Sequence, residues 1–336
     1  MSVRTFGRLA LAAALGGLLL LAWAATSGPP RPSPLPSHSF AFGAVADVPY
    51  YPWETLKYRV ALADMEQHEL EWVLVAGDIF WRPCVEERYR RSLDWFAALA
   101  HPVVYTPGDN EWTDCWEPGS GGFAPLDRLA LLRRLFFTGA RVGLGRGELP
   151  LISQADGGGP LAGFAENARW SHRGLLFATL HLVGSRNATE RFPSRTADDD
   201  REVERRTRAA TEWMRAAFAE ARADGSSAVV LAFHANPAFE SPPGDAYRSS
   251  YEPFLTALEE EVAAFAGPVL AVHGDDHEYL LDRPLRHRAT GERLDNFLRL
   301  QLPGSPEVAW VRVVVTPGAA EPFAFEKRPV PAYKYF

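Results

Sequence analysis

Residues 72–78 read Trp72-Val73-Leu74-Val75-Ala76-Gly77-Asp78, an unbroken apolar run that stops at a glycine and a carboxylate. A short apolar run bounded by turn residues reads as a buried strand. The pattern recurs outward from this stretch in both directions. Residues 40–46 end at Asp47, 102–106 at Pro107-Gly108-Asp109, 228–233 at His234, and 268–272 at His273-Gly274-Asp275-Asp276-His277. Helical periodicity fills 54–70, 85–100, 198–224 and 251–265; in the third, Val203, Ala210, Trp213, Met214, Ala217, Phe218 and Ala221 form one stripe. Strands alternating with helices predict an α/β protein with a largely parallel sheet. Residues 175–182 add a strand, and 296–301, 310–315 and 322–325 suggest an antiparallel edge. Residues 116–165 are rich in Gly and Pro around one helix and read as a long, partly irregular insertion.

The first 25 residues have the layout of a secretory signal. Arg4 and Arg8 precede an uncharged run over 9–25, and Ala22-Trp23-Ala24 supplies a small-x-small cleavage site. Without cleavage, the same run would serve as an N-terminal membrane anchor. Residues 26–37 carry Pro29, Pro30, Pro32, Pro34 and Pro36 and read as an extended linker. The expectation is an exported protein, periplasmic or secreted, with no stable membrane contact after cleavage. A net charge of −7 disfavours nucleic acid as a partner.

In parallel α/β sheets ligands collect beyond the carboxyl ends of the strands. Here five such ends carry Asp47, Asp78, Asp109-Asn110-Glu111, His234 and Asp275-Asp276-His277. Asp is a common helix cap, so one would mean little. Five in succession point to oxygen and imidazole donors for divalent cations such as Mn²⁺, Fe²⁺, Zn²⁺ or Mg²⁺.

These motifs resemble the calcineurin-like metallophosphoesterase family, whose signatures run Asp-x-His, Gly-Asp, Gly-Asn-His-(Asp/Glu), His and Gly-His-x-His. The resemblance covers nearly the whole of residues 38–336, and it implies a sandwich of two β-sheets flanked by helices. It also implies hydrolysis of small-molecule phosphate mono- or diesters through a metal-bound hydroxide. Carried over by position, Asp47, Asp78 and His277 would hold one cation, and Asp78, Asp109, His234 and Asp275 a second, with Asp78 bridging. Two cations so held acidify a water and clamp both ends of an in-line displacement. Three spellings depart from the family. Pro49 replaces a ligating His, Asp275 replaces another, and Asp109-Asn110 stands where the family has Asn-His. Asn110 therefore takes the place of the catalytic His, unless the motif is shifted by one and Asn110 is itself the ligand. A variant subgroup with Gly-Asp-Asn-Glu and His-Gly-Asp-x-His spellings fits this chain. The departures also motivate a rival reading, a binding or scaffold protein that kept the fold and lost catalysis.

His273, beside the last motif, is a candidate to donate a hydrogen bond within the site or to act as an acid. His181 reads as a core or rim residue, and His68, His101, His172 and His287 as surface or loop residues. Tyr50, Tyr51, Trp53, Phe80, Trp81, Trp112 and Trp116 read as loop packing or as an aromatic wall for a ligand ring. The two cysteines each follow a strand-end Asp by six residues, Cys84 after Asp78 and Cys115 after Asp109. In an exported protein that placement favours a Cys84–Cys115 bridge over two buried thiols.

Overall fold

Trp72, Leu74 and Ala76 point to one face of their strand and Val73 and Val75 to the other, and all are buried. The strand is therefore covered on both sides, as its uninterrupted apolar run requires. A computed structural model describes residues 34–138 and 143–330. The signal segment and most of the 26–37 linker lie outside the described residues. The chain divides into Met1–Leu35 and Pro36–Phe336, and both sheets belong to the second unit.

The first sheet has the order β12-β11-β1-β2-β3, built from β1 (Phe40–Val45), β2 (Val73–Ala76), β3 (Val103–Thr106), β11 (Ala309–Val315) and β12 (Phe323–Pro329). The first three strands are parallel; β11 and β12 join antiparallel. The second sheet runs β4-β5-β6-β7-β8-β10-β9. Its strands are β4 (Ile152–Ser153), β5 (Ala168–His172), β6 (Leu175–Thr179), β7 (Ala228–Ala232), β8 (Val269–His273), β9 (Leu280–Asp282) and β10 (Phe297–Gln301). Strands β6, β7, β8 and β10 are parallel, while β4, β5 and β9 run antiparallel at the two edges.

Alternate residues of the two sheets meet between them. Phe42, Trp72, Leu74, Val104, Phe177, Val230, Val272, Leu300 and Val313 belong to one buried cluster. The other face of β7, Val229 and Leu231, packs on helices α4 (Ala197–Ala223) and α5 (Glu252–Ala264) through Met214, Ala217, Phe218, Leu255 and Leu258. Helices α1 (Pro52–Met65), α2 (Glu86–Ala98) and α3 (Pro125–Phe136) follow β1, β2 and β3. The outcome is the expected α/β sandwich of two sheets flanked by helices, with corrections to detail. The largely parallel pairing expected from the alternation is mixed in both sheets. Of the tail strands, β11 and β12 form the antiparallel edge of the first sheet, whereas β10 joins the second sheet parallel to β8. His68, read as a surface or loop residue, lies in the loop after α1 and is buried there, its ring 5.2 Å edge-on from Trp310. Among the described residues no helix is long and apolar enough to cross a membrane.

Candidate metal centre

The parallel strands of both sheets end at one place. Asp47, Asp78 and Asp109 follow β1, β2 and β3, while His234, Asp275 and His277 follow β7 and β8. Asp47, Asp78, Asp275 and His277 all adopt positive φ, between 54° and 82°. A non-glycine residue is held in that region only by surrounding structure, and such residues cluster at functional sites. Two glycines let the loops close. Gly77 has φ +82°, and a Cβ there would collide with the His234 ring; a Cβ on Gly108 would collide with Asp78.

One atom each of Asp47, Asp78 and His234 lies within 4.8 Å of the others, and the same holds for Asp109, His234 and Asp275. His234 Nδ1 donates to the Ala76 carbonyl at 2.8 Å, which orients the ring and directs Nε2 at the acids. Nε2 lies 3.3 Å from Asp78 Oδ1, 2.9 Å from Asp109 Oδ1 and 3.7 Å from Asp275 Oδ1. Although 2.9 Å apart, Nε2 and Asp109 Oδ1 are not in line for a hydrogen bond, and both are buried without a partner. Buried polar atoms are almost always paired, so this convergence fits a cation that both atoms ligate. His277 Nδ1 donates to the Ser305 carbonyl at 2.7 Å, and its Nε2 faces Asp47 Oδ1 at 3.7 Å. His277 thus stands beside Asp47, outside the two three-residue sets.

The electrostatics agree with the donor set. Burial, reinforced by neighbouring carboxylates, raises the pKa of Asp47 and Asp78 well above the usual range and that of Asp275 to about 7. Burial opposes protonation of His234, yet the carboxylate of Asp78 outweighs it and pushes its pKa up. So many acids cannot ionise side by side in a buried site without a countercharge, and divalent cations would provide it.

Asn110 is close but committed. Its amide nitrogen donates to the Tyr50 hydroxyl at 2.8 Å and to Asp78 Oδ2, and its backbone N–H reaches Asp78 Oδ1 at 3.1 Å. Tyr50 also donates to Asp78 Oδ2 and stands 3.5 Å from Asp47 Oδ1. Tyr50, one of the loop aromatics in the sequence, has its hydroxyl beside the carboxylates of both Asp47 and Asp78. His273 is buried, with its ring stacked 5.7 Å from Phe233 and its Nδ1 bonded to the Gly274 carbonyl at 2.9 Å. Burial lowers its pKa to about 3, so the ring is neutral. Glu111 is a clamp: it accepts from Ile79 N at 2.8 Å, Gly108 N at 3.0 Å and Tyr105 OH at 3.1 Å, joining the loops after β2 and β3. The Cys84–Cys115 disulfide joins the same two loops, with Cα atoms 5.7 Å apart.

Ser185 and Asp114 carried no motif. Residues Ser185 to Ala188 have φ of 47–62°, a left-handed turn made entirely of non-glycine residues. Asn187 anchors it through bonds to Thr207 and Arg206, and the turn aims Ser185 Oγ at Asp109 Oδ2 (3.0 Å) and Asp114 Oδ1 (2.7 Å). Asp114 sits in this network with its pKa raised to about 8 by burial and by Asp109. The only advance signal was the cluster of polar residues after a strand.

No family model matches the chain, and no curated protein matches it. Among solved structures, PhoD superposes with a TM-score of 0.51 at 13% identity, over 90% of this chain and 73% of that one. A Thermus thermophilus protein, TT1561, gives 0.43 at 13% identity, over 87% and 99% of the two chains. The Mycobacterium tuberculosis phosphopantetheinyl hydrolase gives 0.38 at 15%, over 80% and 91%. The chain shares its fold with PhoD.

Proposed function

We propose that the chain is an exported metallophosphoesterase that hydrolyses small-molecule phosphate mono- or diesters, in the variant subgroup its motif spellings suggest. The observation that carries this reading is the convergence of His234 Nε2 and Asp109 Oδ1, buried and without an aligned hydrogen bond, among the carboxylates of Asp47, Asp78 and Asp275. Asp47, Asp78, Asp109, His234, Asp275 and His277 would hold divalent cations, most naturally two. Cations bound there would supply the charge that acidifies a water and offsets the developing charge on phosphorus oxygens.

The chain's own residues supply orientation. Asn110 and Tyr50 fix both oxygens of Asp78, Ser185 fixes Asp109, and the Asn236 N–H fixes Asp275 Oδ2 at 2.9 Å. Each carboxylate is left with a defined direction for its remaining lone pairs, as outer hydrogen bonds commonly arrange at metal sites. Export is supported by the N-terminal signal pattern and by a disulfide of the kind oxidising compartments favour.

Turnover of p-nitrophenyl phosphate by the purified protein tests the reading. Activity should vanish on chelation and return with Mn²⁺, Fe²⁺ or Zn²⁺, and Asp78→Asn should remove most bound metal by elemental analysis. Metal content equal in wild type and Asp78→Asn would sink the site assignment. A metal-loaded protein that turns over no ester would favour the binding-protein alternative.

A further inference from the structure

The geometry points to Tyr51, Trp53 and Trp81, with Arg82, as a recognition platform that takes the nucleoside part of a phosphate ester. This rests on the phosphoesterase reading above and names its substrate class.

The rings form a continuous path out of the metal centre. Tyr50, whose hydroxyl lies between Asp47 and Asp78, meets His277 edge-on at 5.0 Å and lies nearly parallel to Trp81 at 6.3 Å. Trp81 meets Tyr51 edge-on at 5.5 Å, and Tyr51 stacks on Trp53 at 4.5 Å with 4° between planes. Trp53 is 56% exposed, whereas Trp72, Trp112 and Trp310 are buried. A large ring left in water beside a reactive centre is an unusual exposure of apolar surface unless a ligand covers it.

The path is also stiff. Glu54, fully buried, accepts from the backbone N–H of Tyr50 at 2.7 Å and of Tyr51 at 3.3 Å, and its other oxygen accepts from Ser305 Oγ at 2.7 Å. The Ser305 carbonyl holds His277, so one network sets both the platform and a metal-facing imidazole. Pro52 begins α1 and places Trp53 in its first turn.

Charge selects among flat ligands. The Arg82 guanidinium carbon lies 3.6 Å over the Trp81 ring. Among the described residues Arg82 has neither an ion pair nor a hydrogen bond, in a chain with net charge −7. Arg133, Arg206 and Arg299 by contrast each face a carboxylate. An unpaired guanidinium at the platform favours an anionic, ring-bearing ligand. The Tyr51–Trp53 stack lies one ring further along the path than Trp81, and a base carried away from the phosphate by a pentose offers a flat face to it.

Calorimetric titration of the Mn²⁺-supplied protein with adenosine 5′-monophosphate and with ribose 5-phosphate reads the base alone, independent of turnover. The wild type should bind the nucleotide at least about tenfold more tightly, the range base stacking supplies. That ratio should fall towards one in Trp53→Ala and in Trp81→Ala; Trp53 is exposed, so its removal leaves the core intact. Equal wild-type affinities would overturn the platform, and so would a preference untouched by either substitution. A nucleotide preference that follows the rings, in a protein that hydrolyses no phosphate ester, would uphold the platform and sink the enzymatic reading.

Discussion

Asn110 stands where the resembling family has a catalytic histidine, and its surroundings say what an amide does there. Its amide nitrogen is engaged by the Tyr50 hydroxyl and by Asp78 Oδ2, which are bonded to each other. A carboxamide has no proton of near-neutral pKa to release, so Asn110 serves as a positioning residue for Asp78. General acid assistance is worth about 10²–10⁴-fold, and its loss weighs most on poor leaving groups. The rate should therefore fall steeply as leaving-group pKa rises across a series of substituted phenyl and alkyl phosphates. Asn110→Ala should additionally weaken metal binding by about 10–100-fold, because Asp78 loses the amide that orients it. A flat leaving-group dependence with chemistry rate-limiting would show that another group delivers the proton.

At the scale of elements, β2 and β3 are neighbours whose following loops each carry a candidate ligand, and two devices hold those loops together. Glu111 joins them by hydrogen bonds and Cys84–Cys115 by a covalent bridge across a sequence separation of 31. Closing a loop of this length in the unfolded chain is worth about 3–4 kcal/mol. Cys84→Ala/Cys115→Ala should lower stability by about that amount in urea titrations of the protein. Peptide mapping without reductant should recover the linked pair. Two freely alkylated thiols in the exported protein would refute the bridge.

For the whole molecule, the buried cluster of Arg133, Glu166 and His181 couples folding to pH. Glu166 receives Arg133 Nε at 3.2 Å and His181 Nδ1 at 2.7 Å. Burial alone would raise its pKa, but the Arg133 guanidinium and the His181 hydrogen bond outweigh it and hold the carboxyl well below the usual 4.5. A depressed native pKa means that the unfolded chain binds the proton first. The stabilisation is therefore complete above pH 4.5 and is lost as pH falls through the native value. Glu166→Gln should cost about 3–5 kcal/mol at pH 7, since it leaves Arg133 partly buried without its counterion. The gap between wild type and Glu166→Gln in urea midpoints should narrow as pH drops below 4.5. A gap that stays constant from pH 7 to pH 3 would contradict the ion pair.

Buried strands need apolar residues and must end where the chain meets water, so the order of strands and of the acids and histidines at their ends is written locally. Residues 72–78 show it best: five apolar side chains, a glycine with positive φ, then Asp78. The α/β class, the helices that follow β1 and β2, and the gathering of Asp47, Asp78, Asp109, His234, Asp275 and His277 at neighbouring strand ends were legible from that pattern. What a run of apolar residues does not encode is its neighbour. The insertion of β11 beside β1 and the pairing of β10 with β8 are matters of shape fit across 20 or more residues of sequence, set by packing between the sheets. The same holds for single side chains. Tyr50 reaches Asp78 across 28 positions, Ser185 reaches Asp109 across 76, and Glu54 reaches Ser305 across 251. No spacing rule links such pairs, because their distance is decided by where the sheets place the loops. The tertiary structure alone turned Tyr50 from an aromatic in a loop into a group beside Asp47 and Asp78, and Asn110 from a catalytic candidate into a brace for Asp78.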